Sequence, residues 1–374
     1  MIPFESEWKE DGNFRKAIAL FVVVKIILLL VAASSQLIPA GLTQRQERDG
    51  NMFINPWAQY DAAAYVDIAM NGYNAAFAEG RGNYGWFPLY PLMIRSLSFM
   101  GHYFAGFAIS NILSLLAVAV MYLVIKRDFT AGVAFKAVAL MSLFPTSYFF
   151  NAVYTESLFL LETVAFFWFS GRGNHLFAGV AGFLAAFTRM QGSLLFFPSL
   201  YVNARKGGNV LYSLLIPMGF AAMMAYQFAV TGDPFAQFAT HTGFAREVSL
   251  PFMSVYNSIA ALAANALAHD IPGTFYNGFN LFIFVLFGWL LVASYRKLPK
   301  EQFIFFAASL LLPLLSSRLE AISRFYLVIF PAFTVMALQL KEKGTAIKVM
   351  FVAFAVLLVL FTIRHGNEEL LLFG

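Results

Sequence analysis

The sequence predicts an all-α integral membrane protein with about eleven transmembrane helices, on three observations. Its 374 residues are 60% hydrophobic and only 12% charged, about half the charged share of a typical soluble domain. The mean hydropathy is +0.70. Apolar runs of about 20 residues, the length that carries a helix across a hydrocarbon core, recur from one end of the chain to the other.

The expected spans are 14–37, 104–125, 131–150, 155–170, 175–190, 192–204, 209–230, 277–295, 302–316, 324–340 and 346–363. Those between 155 and 204 are short for a perpendicular crossing and are expected to form a compact group that does not cross fully or reaches only a thinned surface. Glu5, Glu7, Glu10 and Asp11 precede the first span. Its apolar run, Ala17 to Ala33, exceeds the about 7–15 residues of a signal-peptide core, so it is expected to stay as an uncleaved helix.

Lysines give the orientation. Lys9, Lys16, Lys126, Lys136, Lys206, Lys297, Lys300, Lys341, Lys343 and Lys348 all fall on one side if the N-terminus is cytoplasmic. Lys25 lies inside the first span, where it is expected to snorkel or pair. The C-terminus is then extracytoplasmic. So are two long segments, 38–103 with an amphipathic helix after the first span, and 231–276, whose part 241–275 is too irregular to assign. No repeat or separate soluble domain interrupts 1–374, which reads as a single membrane-embedded domain.

Composition also excludes. There is no cysteine, hence no disulfide, thiolate nucleophile or Cys-ligated metal. The five histidines show no metal-ligand spacing. The net charge of +5 sits at the ends of apolar runs and forms no basic patch, so nucleic acid is not an expected partner.

The candidate site starts at WAQYDAAAYVDIAMNGY, Trp57 to Tyr73. As one helix it puts Trp57, Asp61, Tyr65 and Ile68 on a common face, with Asp67 elsewhere. Asp61 reads either as a helix-surface acid or as a base beside the bilayer. Asp67 reads as a weaker substrate contact or as solvated surface. NYGWFPLYPLMIR (83–95) combines prolines with interfacial aromatics, ending on Arg95, and suits the wall of a lipid groove. In FPTSYFFNAVYTES (144–157), Thr155 can cap the next helix with Glu156 in its first turn. Asn151, Tyr154 and Glu156 also have the chemistry to bind a sugar. Glu162, inside an apolar run, is functional or paired.

Arg189 and Gln191 lie in TRMQG, and Arg318, Glu320 and Arg324 in SSRLEAISRFY. A guanidinium grips phosphate through several donors at once, though an Arg–Glu320 pair explains part of this equally well. Asp233 in TGDPF reads as a turn residue. An acid, arginines and aromatic surface on one face suit transfer from a lipid-phosphate donor. The arginines would offset charge on the departing phosphate, the acid would take the acceptor's proton, and an apolar groove would hold the lipid. With Asp61 and Asp67 on different faces no second ligand completes a metal site, and neither a divalent metal nor another cofactor is expected.

The ordered set WAQYDAAAYVDIAMNGY, FPLYP, FPTSYFFNAVYTESLF, TRMQG, GDPF and SRFYLVIFPAF, over about residues 57–335, resembles the PIG-V-like mannosyltransferases and their bacterial relatives. These are integral-membrane GT-C glycosyltransferases. The resemblance implies a GT-C-like helical bundle in the cell membrane. It would move a sugar, mannose by the family's habit, from a polyprenyl-phosphate donor to a glycan or glycolipid acceptor at the extracytoplasmic face, with inversion. The family's first-loop acid falls on Asp61, and its outer-turn arginines on Arg189 and Arg324. Where relatives carry His three residues after the acid, this chain has Ala64. Two other classes stay open: a lipid or solute transporter or flippase, and a non-catalytic lipid-binding subunit. The first would string ionisable groups through the midplane, where this sequence offers little beyond Lys25 and Glu162.

Overall fold

The computed structural model describes residues 4–39, 43–80, 82–205, 207–243, 249–340 and 344–368. Lys206, Lys341 and Lys343 of the orientation argument lie outside them. The chain is helical, with no strand among the described residues.

Short α1 (Phe4–Glu10) meets α2 (Gly12–Ser35) at Asp11, whose carboxylate accepts from the amides of Asn13 and Phe14 and so caps α2. The first long loop holds α3 (Ala62–Asn71), α4 (Phe77–Gly80) and α5 (Leu89–Ser96). The long α6 (His102–Asp128) follows. Next, α7 (Ala131–Leu143) is capped by Thr130 and stops just before Pro145, which cannot continue it. Then come α8 (Glu156–Ser170), α9 (His175–Thr188), α10 (Phe196–Arg205) and α11 (Leu215–Thr231), the last closed by Gly232 at φ 76°. The second long loop, left unassigned from sequence, folds into α12 (Ala236–Gly243) and α13 (Met253–Leu267). Its residues 244–248 are outside the description. The chain ends with α14 (Ile271–Ser294), α15 (Lys300–Leu311), α16 (Ile322–Leu327), α17 (Phe330–Gln339) and α18 (Gly344–Asn367).

The packing is that of a helical membrane protein. In the core, α8 lies between α6 and α9, α9 packs on α11, and α7 packs on α2, α6 and α17. Small residues set the closest approach: a Cβ at Gly182 would strike Ile216, and one at Gly219 would strike the Phe183 carbonyl. The outward faces are apolar. Phe282, Val285, Trp289 and Val292 form an exposed stripe at helical spacing on α14, and Val349, Val352, Val356 and Leu360 another on α18. Such stripes are unfavourable in water and natural in lipid.

Among the described residues, five segments are long and apolar enough to cross a membrane: Gly12–Ser35, His102–Asp128, Val210–Thr231, Ile271–Ser294 and Lys348–Asn367. The other six expected spans are shorter than drawn. For example, 131–150 splits into α7 and a 3₁₀ turn, Ser147–Phe150. The 13 residues of α7 rise about 20 Å at 1.5 Å each, short of the ~30 Å hydrocarbon core. By length and composition, five crossings qualify among the described residues, beside shorter apolar helices such as α7, α9 and α17.

Lys25 and Glu162, the ionisable groups expected near the midplane, have partners. Lys25 donates to Ser114 Oγ and the Phe150 carbonyl, both at 2.9 Å, and Glu162 accepts from Thr188 Oγ1 at 2.9 Å.

Candidate active site

The stretch Trp57–Tyr73 is not one helix. Trp57 closes a 3₁₀ turn, Asn55–Trp57, and Tyr60 takes a left-handed φ of 55° before α3 begins. Asp61 stands at the N-cap position of α3, without a side-chain capping bond. Its carboxylate is therefore turned to another task. Trp57 is wholly buried and its carbonyl accepts from the Val153 amide at 3.0 Å, which places it in the core rather than on a substrate face. Ala64, where the resembled family has His, is buried too.

The turn at 146–155 holds this loop. The Tyr154 hydroxyl accepts from the Asp61 amide and donates to the Gln59 carbonyl, each at 3.1 Å. Tyr65, four residues into the turn after Asp61, meets Thr155 Oγ1 at 3.3 Å. Thr155 makes no capping bond, so its expected role passes to this contact. Burial pushes the Tyr65 phenol up to about 12, with Arg324 opposing the shift.

Four charged side chains from four parts of the chain converge here. Glu156 Oε1 accepts from Arg189 Nη1 at 2.7 Å and from Arg324 Nε. Arg324 Nη1 donates to Asp61 Oδ2 at 2.5 Å. Two guanidinium and two carboxylate charges cancel. Side-chain exposure is 0% for Glu156, 9% for Arg189, 12% for Arg324 and 32% for Asp61, so Asp61 is the member that reaches accessible space. Aromatic rings complete the cradle. Arg324 lies 4.5 Å from the Tyr154 ring centroid and 5.1 Å from that of Phe149, and Arg189 lies 5.1 Å from that of Phe325.

Both loops that present the cluster's exposed half carry a strained residue. Ala321, at φ 55°, precedes α16, and Thr146 Oγ1 anchors that helix by donating to the Ser323 carbonyl at 3.1 Å. Left-handed backbone at a tyrosine and an alanine persists only where the surroundings impose it, and such positions gather at functional sites.

Several sequence expectations are corrected. Asp67 is not solvated surface: it accepts from Asn71, Asn74 and Asn83 at 2.7–2.8 Å and organises the loop between α3 and α5. It makes its bonds there, away from Asp61. Glu156 stands in the first turn of α8 as expected, and it is also the shared counter-ion of both arginines. Arg324 pairs with Asp61 and Glu156, whereas Glu320 takes Arg318 at 3.0 Å on the surface. Neither Arg318 nor Arg95, exposed on the last turn of α5, enters the buried cluster. Gln191 is buried in the 3₁₀ turn after Arg189, and its amide atoms have no partner among the described residues. The same holds for Asn151 and for Glu156 Oε2. As expected, Asp233 organises a turn, accepting from the Phe235 amide at 2.8 Å.

Sequence reasoning missed Tyr60, Tyr148, Arg364 and His365, which with Phe361 line a cavity of about 50 Å³ next to the Asp61 loop. One signal was present. Arg364 ends the last apolar run on the side expected to be extracytoplasmic, against the positive-inside bias. No family model matches this chain, and no curated protein sequence matches it.

Proposed function

We propose that the protein is a membrane glycosyltransferase of the GT-C kind. It would move a sugar, mannose in the resembled family, from a polyprenyl-phosphate donor to an acceptor hydroxyl at the extracytoplasmic membrane face, with inversion. The observation that carries the reading is the partly exposed Asp61 carboxylate, held on a buried guanidinium that a second, fully enclosed carboxylate fixes in place. A purely structural ion pair needs neither the enclosed second acid nor the strained loops on both sides.

In the proposed reaction the acceptor oxygen attacks the anomeric carbon. The bond from that carbon to the phosphate oxygen breaks, and its electron pair leaves with the polyprenyl phosphate. Asp61 takes the acceptor's proton. Arg324, tied to Glu156 and stacked on Tyr154, holds the Asp61 carboxylate in one position, as proton transfer demands. Gln191 and Asn151, buried with unused amide groups, are suited to hydrogen-bond sugar hydroxyls. The order of the motifs supports the family, and the lysine pattern supports the sidedness and a count of about eleven membrane segments, several of them short.

The test is transfer of radiolabelled mannose from polyprenyl-phosphate mannose by the purified protein in lipid vesicles. Asp61→Asn should lower turnover about 10²–10⁴-fold, the range for loss of a general base, with helical content unchanged. Near-normal turnover in that variant would sink the assignment. Movement of the lipid across the bilayer without transfer would select the flippase reading.

A further inference from the structure

We infer that α13, in the second long loop, is a lipid-contact helix: it lies in the bilayer alongside α14, turns an apolar face to the acyl chains, and holds the Arg324 loop with its opposite face. The register of α13 on α14 gives its depth. The turn at His269 and Asp270 joins the two helices, and Asp270 caps α14 by accepting from the Gly273 amide. A Cβ at Gly273 would meet Asn265 Nδ2, and one at Gly278 would meet Leu262 Cδ1. Numbers fall along α13 as they rise along α14, so the helices run antiparallel. Ile271–Ser294 has the length and composition of a membrane crossing, and a helix that runs back beside it enters the same hydrocarbon layer. The 15 residues of α13 rise about 22 Å at 1.5 Å each, within the ~30 Å core.

The chemistry of α13 is that of lipid contact. From Ser249 to Ala268 the chain holds no Asp, Glu, Lys, Arg or His. Phe252, Tyr256, Ile259 and Leu267 fall on one helical face and are all exposed, and Leu250 just before them is 73% exposed. Polar residues take the other side: Ser254 is wholly buried, Ser258 nearly so, and Asn257 is half-buried. A helix at the surface of a water-soluble protein is ordered the other way round, apolar inward and polar outward. Ile271 and Phe275 extend the exposed stripe of α14 up to the turn after Leu267, so one uncharged apolar surface covers both helices, and acyl chains are its occupant. The backbone is satisfied as lipid demands. Pro251 has no amide hydrogen, and the Ser249 amide donates to the Leu315 carbonyl at 2.9 Å.

The inward face is tied to the loop that carries Arg324. Asn257 Nδ2 donates to the Ser317 carbonyl at 2.9 Å, and the Ala321 amide donates to the Tyr276 hydroxyl of α14 at 3.2 Å. With the Ser249 bond to Leu315, residues 315–321 hang from α13 and α14, and they lead directly into α16. The bilayer that seats α13 therefore seats this loop. Under the glycosyltransferase reading it would also steady Arg324 on Asp61, a consequence that rests on that reading, whereas the lipid contact does not.

Both parts can be measured without sugar transfer, and a chain without cysteine suits the first. The full chain in phosphatidylcholine vesicles carries a nitroxide on one introduced cysteine, at Leu250→Cys, Ile259→Cys or His269→Cys. Collisions with oxygen, which concentrates in lipid, are compared with those of a water-soluble nickel chelate. Leu250→Cys and Ile259→Cys should favour oxygen severalfold more than His269→Cys at the polar turn. Equal nickel access at all three positions places the face in water. Exclusion of both reagents from Leu250→Cys and Ile259→Cys places protein there, a second copy or another chain. Either result overturns the lipid contact. The hold on the loop is read by amide hydrogen exchange in the same vesicles. Asn257→Leu should speed exchange of residues 316–321 about two- to tenfold, the weight of one hydrogen bond, with α17 unchanged. Wild-type exchange of 316–321 in that variant overturns the coupling.

Discussion

Two ionic clusters sit at opposite ends of α2, and they are built differently. At the N-terminal end Asp11 caps the helix, accepts from the Tyr122 hydroxyl at 2.8 Å, and pairs with Lys126 at 2.9 Å. Lys126 stays one-third exposed. Burial alone would raise the Asp11 carboxyl, but hydrogen bonds from Lys126, Tyr122 and two amides hold it below its ordinary value of 3.8. A helix cap, an ion pair and a hydroxyl hydrogen bond, all on one carboxylate, tie α2 to α6 there. At the other end one acid, Glu156, is fully enclosed by two arginines, while the other, Asp61, stays open. The first arrangement fastens helices. The second spends its burial on positioning one carboxylate, which is how a site differs from a brace.

Substitutions should separate the two. Glu156→Gln leaves two guanidinium groups buried without their shared counter-ion and should cost about 3–5 kcal/mol in unfolding free energy, seen as a large drop in thermal midpoint in detergent. A drop no greater than that of Asp11→Ala would mean the buried cluster is no more demanding than the brace. Asp11→Ala removes a helix cap and should cost about 1 kcal/mol.

The pH dependence of the Asp11 effect has a definite sign. Because the folded carboxyl titrates below 3.8, its contribution is present above that pH and is lost as pH falls through the folded value. The gap in midpoint between wild type and Asp11→Ala should thus be constant from pH 7 to 5 and shrink below about 4. A gap that widens on acidification would refute the assignment. The smallest effect is expected for Tyr65→Phe, which loses one long hydrogen bond to Thr155, about 0.5–1.5 kcal/mol. In the unsubstituted protein the Tyr65 phenol should stay protonated in ultraviolet titration, read as the difference from Tyr65→Phe, until pH approaches about 12.

By itself the sequence determined the class of molecule. Hydrophobic content and run length point to a helical membrane protein: in lipid only a helix or a closed barrel satisfies the backbone, and apolar runs of about 20 residues have the length of the helix. It also marked Asp61, Glu156, Arg189 and Arg324 as the residues to watch, since charge in so apolar a chain needs a reason. Helix lengths were less legible. Pro145, Pro313 and Pro331 cut apolar runs into pieces that hydropathy averages over, so 131–150, 302–316 and 324–340 read as whole spans and fold as fragments. Who pairs with whom was decided only by the tertiary structure. Glu156 lies 33 residues from Arg189 and 168 from Arg324, and Asp61 263 from Arg324. No periodicity encodes such separations. Spacing can put residues on one face of one helix, but only packing brings four faces to a point, and only packing showed Arg364 and His365 beside Tyr60.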